Sequence, residues 1–438
     1  MSNLEIGILS FPALMALIFI RVPIGLAMFL TGLVGLWIVT GSSNMAFARL
    51  KSETYTTYSS YSLTIVPLFL LMGQFATLGG MSSALFKAAE GFLGHRKGGV
   101  AMAAIGACAG FGAICGSSLA TAATMGRVAL PELKQYGYAG GFSTATLAAG
   151  GTLGILIPPS VVLVIYAILT EQNIAKLFLA AVIPGILAAL GYVLAISIYV
   201  RFHPDAAGTR PPVPMAQRVY ELINVWPVLL VFTVVVGGIY LGWFTPTEGA
   251  AVGACGTGLI ALFNRGLNLK TLVESFIITS RSTAMVFFIV LGAGFYNGFL
   301  ALTEVPQELS NYVVSQGFSP WTVLALILVF YLIFGCLMDS LSMILLTIPI
   351  FFPVISILDF GMSPEHVAIW FGILVLIVVE VGLITPPVGM NLFVINAMDR
   401  KTPILETYKA VGYFVASDLV RVVILVLFPA ITLFLIPN

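Results

Sequence analysis

Charge is what this chain has least of: 8% of its 438 residues are Asp, Glu, Lys or Arg, where a water-soluble domain carries about 25%. With 59% hydrophobic residues and a mean hydropathy of +1.07, a soluble enzyme built around one buried core is excluded. A basic excess is missing too. The 19 Lys and Arg stand against 18 Asp and Glu for a net charge of +1, too even for a nucleic-acid binder, whose footprint is a concentrated basic patch. Cysteine is sparse: Cys108, Cys115, Cys255 and Cys336 lie in apolar runs without a Cys-x-x-Cys pair, beside only three histidines. Neither a disulfide framework nor a zinc site fits that spacing. No Gly-x-x-x-x-Gly-Lys-Ser/Thr loop occurs, so the chain itself is not expected to use ATP. The start, MSNLEIGILSF, has no basic region ahead of its apolar stretch and no small-residue cleavage signal. It reads as a retained first helix rather than a leader.

What the chain has is apolar length, enough for over a dozen crossing or half-crossing segments at about 20 residues per span. These fall near 4–20, 23–40, 58–79, 99–131, 141–171, 176–200, 226–243, 248–263, 283–302, 320–358, 366–398 and 411–436. Two of them are interrupted by polar residues: 99–131 at Gly116-Ser117-Ser118 and 320–358 at Met338-Asp339-Ser340. Each reads as a re-entrant helical hairpin. Two others, 141–171 and 366–398, are too long for one crossing and carry GGTLGILIPPS (150–160) and VGLITPPVGMN (381–391). A double proline removes two backbone donors and clashes with the preceding turn, so both read as broken helices. Non-helical backbone at membrane depth survives only where protein or a wet cavity satisfies it.

The order of features is the same in both halves of the chain. Pro158-Pro159 and Pro386-Pro387 lie 228 residues apart, and the hairpin tips at Ser117 and Asp339 lie 222 apart. The expected organisation is two repeats, 1–202 and 219–438, joined by the polar linker HPDAAGTRPPVPMAQR at 203–218. With both termini placed outside, fifteen basic residues fall on the inner side and only Arg49, Lys51 and Lys176 on the outer, with Arg421 left inside the last helix. That asymmetry is the positive-inside pattern. The first hairpin has a basic base (His95, Arg96, Lys97, Lys134) and the second an acidic one (Glu304, Glu308, Asp359, Glu365), which gives the repeats opposite orientation. Inverted repeats whose hairpin tips meet near the midplane, each facing a broken helix, form the architecture of a secondary transporter.

At the first tip, Gly116, Ser117 and Ser118 offer hydroxyls and a helix N-terminus, suited to a ligand or to close helix packing. At the second, a carboxylate at Asp339 is costly in an apolar setting unless a cation or donors compensate it; the alternative is that it caps the following helix. Gly150, Gly151 and Thr152 before the first Pro-Pro, and Gly382 and Thr385 before the second, supply carbonyls and hydroxyls, hard oxygen ligands that suit Na⁺ better than Ca²⁺ or a transition metal. Ser117, Ser340, Ser342 and Glu380 are the candidates for substrate contact or coupling. Glu248, three residues after Thr245, reads as helix-start compensation, and Arg421 as a partner of Asp418 or a snorkelling side chain. No nucleophile stands with a base or a metal triad, so an intramembrane enzyme is not expected.

These residues resemble the large membrane subunit of the tripartite ATP-independent periplasmic (TRAP) transporters. The likeness runs through RVPIG (21–25), GHRKGG (94–99), CGSSLATAATMG (115–126) and GGTLGILIPPS in the first half, and through FTPTEGAAVG (244–253), MDSLSMILLTIPIFFPV (338–354) and GLITPPVGMN (382–391) in the second. The resemblance implies an all-helical, elevator-type Na⁺ symporter of the bacterial inner membrane importing an organic acid, a C4-dicarboxylate, sialic acid or similar carboxylate. It puts sodium at Gly116, Ser117 and Ser118 with Gly151 and Thr152, and at Asp339 and Ser340 with Thr385 and Pro386. It also implies two partners besides membrane lipid: a small four-helix membrane subunit, expected as a separate chain, and a soluble periplasmic binding protein. The alternatives are a stand-alone Na⁺/dicarboxylate cotransporter of related architecture and, from another class, an ion channel.

Overall fold

In a computed structural model of the chain, residues 2–436 are described, and they contain helices and turns with no strand. A seventeen-residue helix, α1 (Asn3–Phe19), opens on a capping box in which Ser2 and Glu5 satisfy each other's backbone amides, and α2 (Ile24–Thr40) follows. Next come α3 (Ser43–Tyr58), α4 (Ile65–Leu78) and the amphipathic α5 (Met81–Leu93). The first interrupted segment is α6 (Gly99–Cys115) and α7 (Ser118–Gln135). The first Pro-Pro segment is α8 (Gly140–Leu156) and α9 (Val161–Thr170), bent by 43°. The long α10 (Ile174–Phe202) leads into the linker.

Beyond the linker, α11 (Met215–Ile223), α12 (Trp226–Phe232), a π-helical turn at Thr233–Gly237 and α13 (Gly238–Tyr240) make one apolar span, followed by α14 (Pro246–Phe263) and the 35-residue α15 (Leu269–Thr303). A short α16 (Val305–Ser315) precedes the second interrupted segment, α17 (Pro320–Gly335) and α18 (Ser340–Ser356). The chain then runs through α19 (Pro364–Gly382), α20 (Met390–Met398), α21 (Ile404–Leu427) and α22 (Pro429–Leu433).

Five spans are long and apolar enough to cross a bilayer, or seven if each sharply bent helix pair counts as one, against over a dozen crossing or half-crossing segments read from apolar length. The difference arises because α1, α2, α6, α17 and α18 are 16 or 17 residues long, about 25 Å of helix against a hydrocarbon core of about 30 Å. Three boundaries also move. The polar α3 carries no hydropathy signal and was not expected; α15 starts fourteen residues before 283; and α11 begins inside the linker. Gly150, Gly151 and Thr152 lie within α8, and the break itself spans Ile157–Ser160.

Two helices occupy the centre. Residues 141–156 of α8 and 367–382 of α19 are buried without interruption. Around α8 pack α6, α7, α10 and α21, and around α19 pack α17, α18 and α21. On the outside, Leu190, Leu194, Leu229, Ile333, Val420 and Leu427 present large apolar side chains to the surroundings, the belt a bilayer requires. The α2 helix lies along α15, and α4 along α14.

The linker is strapped across the base of the first hairpin. The Ala139 amide donates to the Ala206 carbonyl at 2.9 Å, the Arg210 amide donates to the Gly94 carbonyl at 2.9 Å, and the Arg210 guanidinium pairs with Glu90 at 2.8 Å. Burial pushes the Glu90 carboxyl up to about 7, against the pull of Arg210; Glu132 on α7 and Glu221 on α11 push the same way as burial, and Lys87 opposes them. Because the folded-state value is raised, stability from protonated Glu90 is present below the ordinary carboxylate range and is lost as pH rises through about 7. Arg210→Ala is therefore expected to cost about 2 kcal/mol at pH 8, where the carboxylate loses its cation, and much less at pH 5. Thermal unfolding of the detergent-solubilised protein at the two pH values measures this, and an equal loss at both would refute the strap as an ion-pair latch.

Candidate functional site

The first tip forms because Gly116 takes φ +63°, a left-handed conformation that glycine adopts at no steric cost, and Ser117 then turns to extended backbone with its hydroxyl accepting from the Ala120 amide at 3.4 Å. A Cβ on Gly116 would stand 3.0 Å from the Pro159 carbonyl, so this tip rests on the break between α8 and α9. The adjacent serines face different ways. Ser118 is 1% exposed and turned inward, while Ser117 lines a cavity against α4.

The second tip is made by Asp339. Its Oδ2 accepts from the Ser342 amide at 3.1 Å and its Oδ1 from the Ser342 hydroxyl at 2.5 Å, so both oxygens cap the first turn of α18. Asp339 is half-buried and makes the expected capping geometry. Ser342 is thereby committed to the cap and fully buried. Next to it, the Ser340 hydroxyl donates to Glu380 Oε1 at 2.6 Å.

Glu380, on the buried α19, is 2% exposed. The Ser118 side chain of the first tip flanks the same carboxylate, and Oε2 is buried with no hydrogen-bond partner among the described residues. The two tips, expected to meet near the midplane, both approach this one carboxylate. A buried carboxylate oxygen left alone costs several kcal/mol unless a positive charge or a donor reaches it.

The remaining expected ligands lie in α8 and at the second break. Thr152 bonds the Ala149 carbonyl at 2.7 Å and the Tyr192 hydroxyl at 2.9 Å. Tyr192 donates to Asp418 Oδ2 at 2.7 Å, and Asp418 Oδ1 meets the Arg421 guanidinium at 2.8 Å. This chain across α8, α10 and α21 is a buried structural network. Gly151 lies inside α8 beside Ser118. Thr385 donates back to the Val381 carbonyl at 2.6 Å, and Pro386 stands exposed at the second break. Glu248 is exposed and closes a capping box with Thr245.

Three contributors had not been singled out. Asn391 is fully buried and donates to the Ala148 carbonyl at 3.2 Å, joining the second broken helix to the first. Tyr408 donates to the Pro387 carbonyl at 2.8 Å across the second break. Tyr192 joins Thr152 to Asp418. A polar residue directly after ITPPVGM was the available signal for Asn391; nothing in the sequence pattern separates the two tyrosines from ordinary core. Among the described residues no three His, Cys, Asp or Glu side chains come together, so any cation held at the tips meets hydroxyls, carbonyls and a carboxylate.

Residues 11–431 match the family described as the tripartite ATP-independent periplasmic transporter, DctM component. The chain is 37% identical over 390 residues, 89% of each protein, to the C4-dicarboxylate TRAP transporter large permease protein DctM of Pseudomonas aeruginosa. It is 32% identical over 447 residues, 99% of each, to the protein of the same name from Rhodobacter capsulatus. Its fold is similar to the solved YdaH transporter of Alcanivorax borkumensis, with a TM-score of 0.66 over 90% of each chain at 14% identity, a likeness of fold alone.

The buried network makes a separable expectation. Arg421→Ala leaves Asp418 charged and buried and is expected to cost about 3–5 kcal/mol, whereas the Asp418→Ala/Arg421→Ala double variant recovers much of that loss. Apparent unfolding midpoints of the two variants in detergent check it; equal losses would show that the pair is not coupled.

Proposed function

The chain belongs to the DctM component family of the tripartite ATP-independent periplasmic transporters, and from that premise we propose that it is the large membrane subunit of a Na⁺-coupled importer of organic acids. In this reading it works with a small membrane subunit and a periplasmic binding protein in the bacterial inner membrane. It is a multi-pass, all-helical transporter subunit rather than an enzyme. The observation that carries the sodium proposal is the meeting of both hairpin tips at Glu380, where Ser340 and Ser118 flank a carboxylate with one orphaned oxygen. Hydroxyls, main-chain carbonyls and a single carboxylate make a small, hard donor set. Gly116, Ser117, Ser118 and Gly151 would serve one ion and Asp339, Ser340, Thr385 and Pro386 another, with Thr152 orienting through Tyr192.

We take the two halves as inverted repeats and the hairpins with their broken helices as the moving body. Ion pairs support the polarity. Lys176 meets Glu365 at 2.6 Å near the acidic base of the second hairpin, and Lys134 meets Asp399 at 2.8 Å near the basic base of the first, so each base gathers residues assigned to its own side of the bilayer. The transported solute is a carboxylate, with C4-dicarboxylates first to be tested because they appear in the names of both relatives.

The test is uptake of labelled succinate and sialic acid into proteoliposomes holding this chain with its small subunit and binding protein, under an inward Na⁺ gradient. Uptake that needs both sodium and the binding protein is expected; sodium-driven uptake without the binding protein would mean a stand-alone cotransporter. Asp339→Asn and Ser118→Ala should each raise the Na⁺ needed for half-maximal uptake about tenfold, the loss of one charge-assisted or oxygen ligand. Unchanged sodium activation in both variants would overturn the site.

A further inference from the structure

Ser117 opens on a cavity of about 270 Å³ between α4, the first hairpin and α15, just below the usual range for ligand pockets. One face of α7 forms its floor, because Ser117, Ala120, Thr124 and Arg127 recur at helical spacing; Gln74 and Thr77 face them from α4 and Ile278 from α15. The charge in this cavity has one sign. Arg127 is its only ionisable side chain apart from the Cys115 thiol, no Asp or Glu lines it, and Arg127 takes part in none of the ion pairs among the described residues. By contrast Lys134, two turns further along the same helix, is paired with Asp399.

The polar groups around Arg127 are free to bind. Ser117 uses its hydroxyl only as an acceptor, from the Ala120 amide, so its proton remains available. Thr77 donates to the Gly73 carbonyl at 2.9 Å and keeps its lone pairs. Thr124, 6% exposed, makes no hydrogen bond among the described residues. Leu70, Ala120, Ala123 and Ile278 supply apolar walls, and Arg127, an exposed side chain, gives the cavity a positive potential that draws anions. The planar guanidinium fork matches a carboxylate in two parallel hydrogen bonds.

We infer that this cavity is a carboxylate site for the transported organic acid, with Arg127 holding one carboxylate and Thr124, Ser117 and Gln74 hydrogen-bonding the rest of the solute. The inference rests on the transport reading above and adds to it a residue that selects for anions. It opens on the Ser117 side of the tip, away from Glu380, and shares Ser117 with the proposed ion ligands.

The experiment reads the cavity without requiring the solute to be known. Thr124→Cys, in a Cys255→Ser background and with that background alone as the blank for native thiols, is modified with an anionic sulfonatoethyl and a cationic trimethylammonioethyl methanethiosulfonate. The anionic reagent is expected to react faster, with that preference falling about tenfold in Arg127→Gln and largely restored in Arg127→Lys. Whichever acid supports uptake in the proteoliposomes should protect the introduced thiol, and Arg127→Gln should raise its half-saturating concentration while leaving the Na⁺ dependence unchanged. Equal rates for the two reagents, or a preference indifferent to Arg127, overturn the inference even if sodium-driven uptake stands. An Arg127-dependent anionic preference in a protein whose uptake ignores sodium overturns the coupling reading and leaves the anion cavity in place.

Discussion

Everything in this molecule follows from the cost of an unsatisfied backbone group in hydrocarbon. A helix hides its own amides and carbonyls, so long stretches of the chain can be almost featureless apolar residues. Only where a helix must stop at depth does the sequence become specific. At those places the structure shows Gly116 turning left-handed, Ser117 and Asp339 capping, Tyr408 reaching over to the Pro387 carbonyl, and Asn391 to that of Ala148. Each interruption is closed by a side chain from another element or from the next turn, and so the interruptions gather in one place.

This gathering explains how much of the fold could be read in advance. The tips and double prolines announce themselves, because Gly, Ser, Asp and Pro in an apolar run have no reason to be there except to end a helix. The capping role of Glu248 and the pairing of Arg421 with Asp418 follow from local spacing and were legible in the same way. What spacing does not encode is which way a side chain faces once the helix is packed. Ser117 and Ser118 are neighbours in sequence, yet one lines a cavity and the other looks at Glu380. Thr152, read as an ion ligand, is engaged with Tyr192. The π-helical turn at Thr233–Gly237 and the polar α3 left no hydropathy trace at all.

The carboxylates divide by environment. Asp418 is answered by Arg421 and Tyr192 and Asp339 by its own helix turn, whereas Glu380 keeps an oxygen unanswered. Close backbone approach supports the same region: a Cβ on Gly382 would stand inside the backbone of Gly335, so the second hairpin and α19 touch main chain to main chain just beside the Ser340 to Glu380 hydrogen bond. Packing that tight transmits displacement with little loss. A shift of either tip is felt at the shared carboxylate.

The linker carries this outward. Residues 206–210 are bound to the base of the first hairpin, while α11, with no buried residue of its own, begins at Met215. Between them stands Pro211-Pro212-Val213-Pro214, a stretch held near polyproline geometry at its end and about 12 Å long at 3.1 Å per residue. Such a segment does not coil up slack; it behaves as a connecting rod. It fixes the reach between the strapped residues and the foot of the next membrane span, so the two halves of the chain are tied to one another at the membrane surface as well as at the tips.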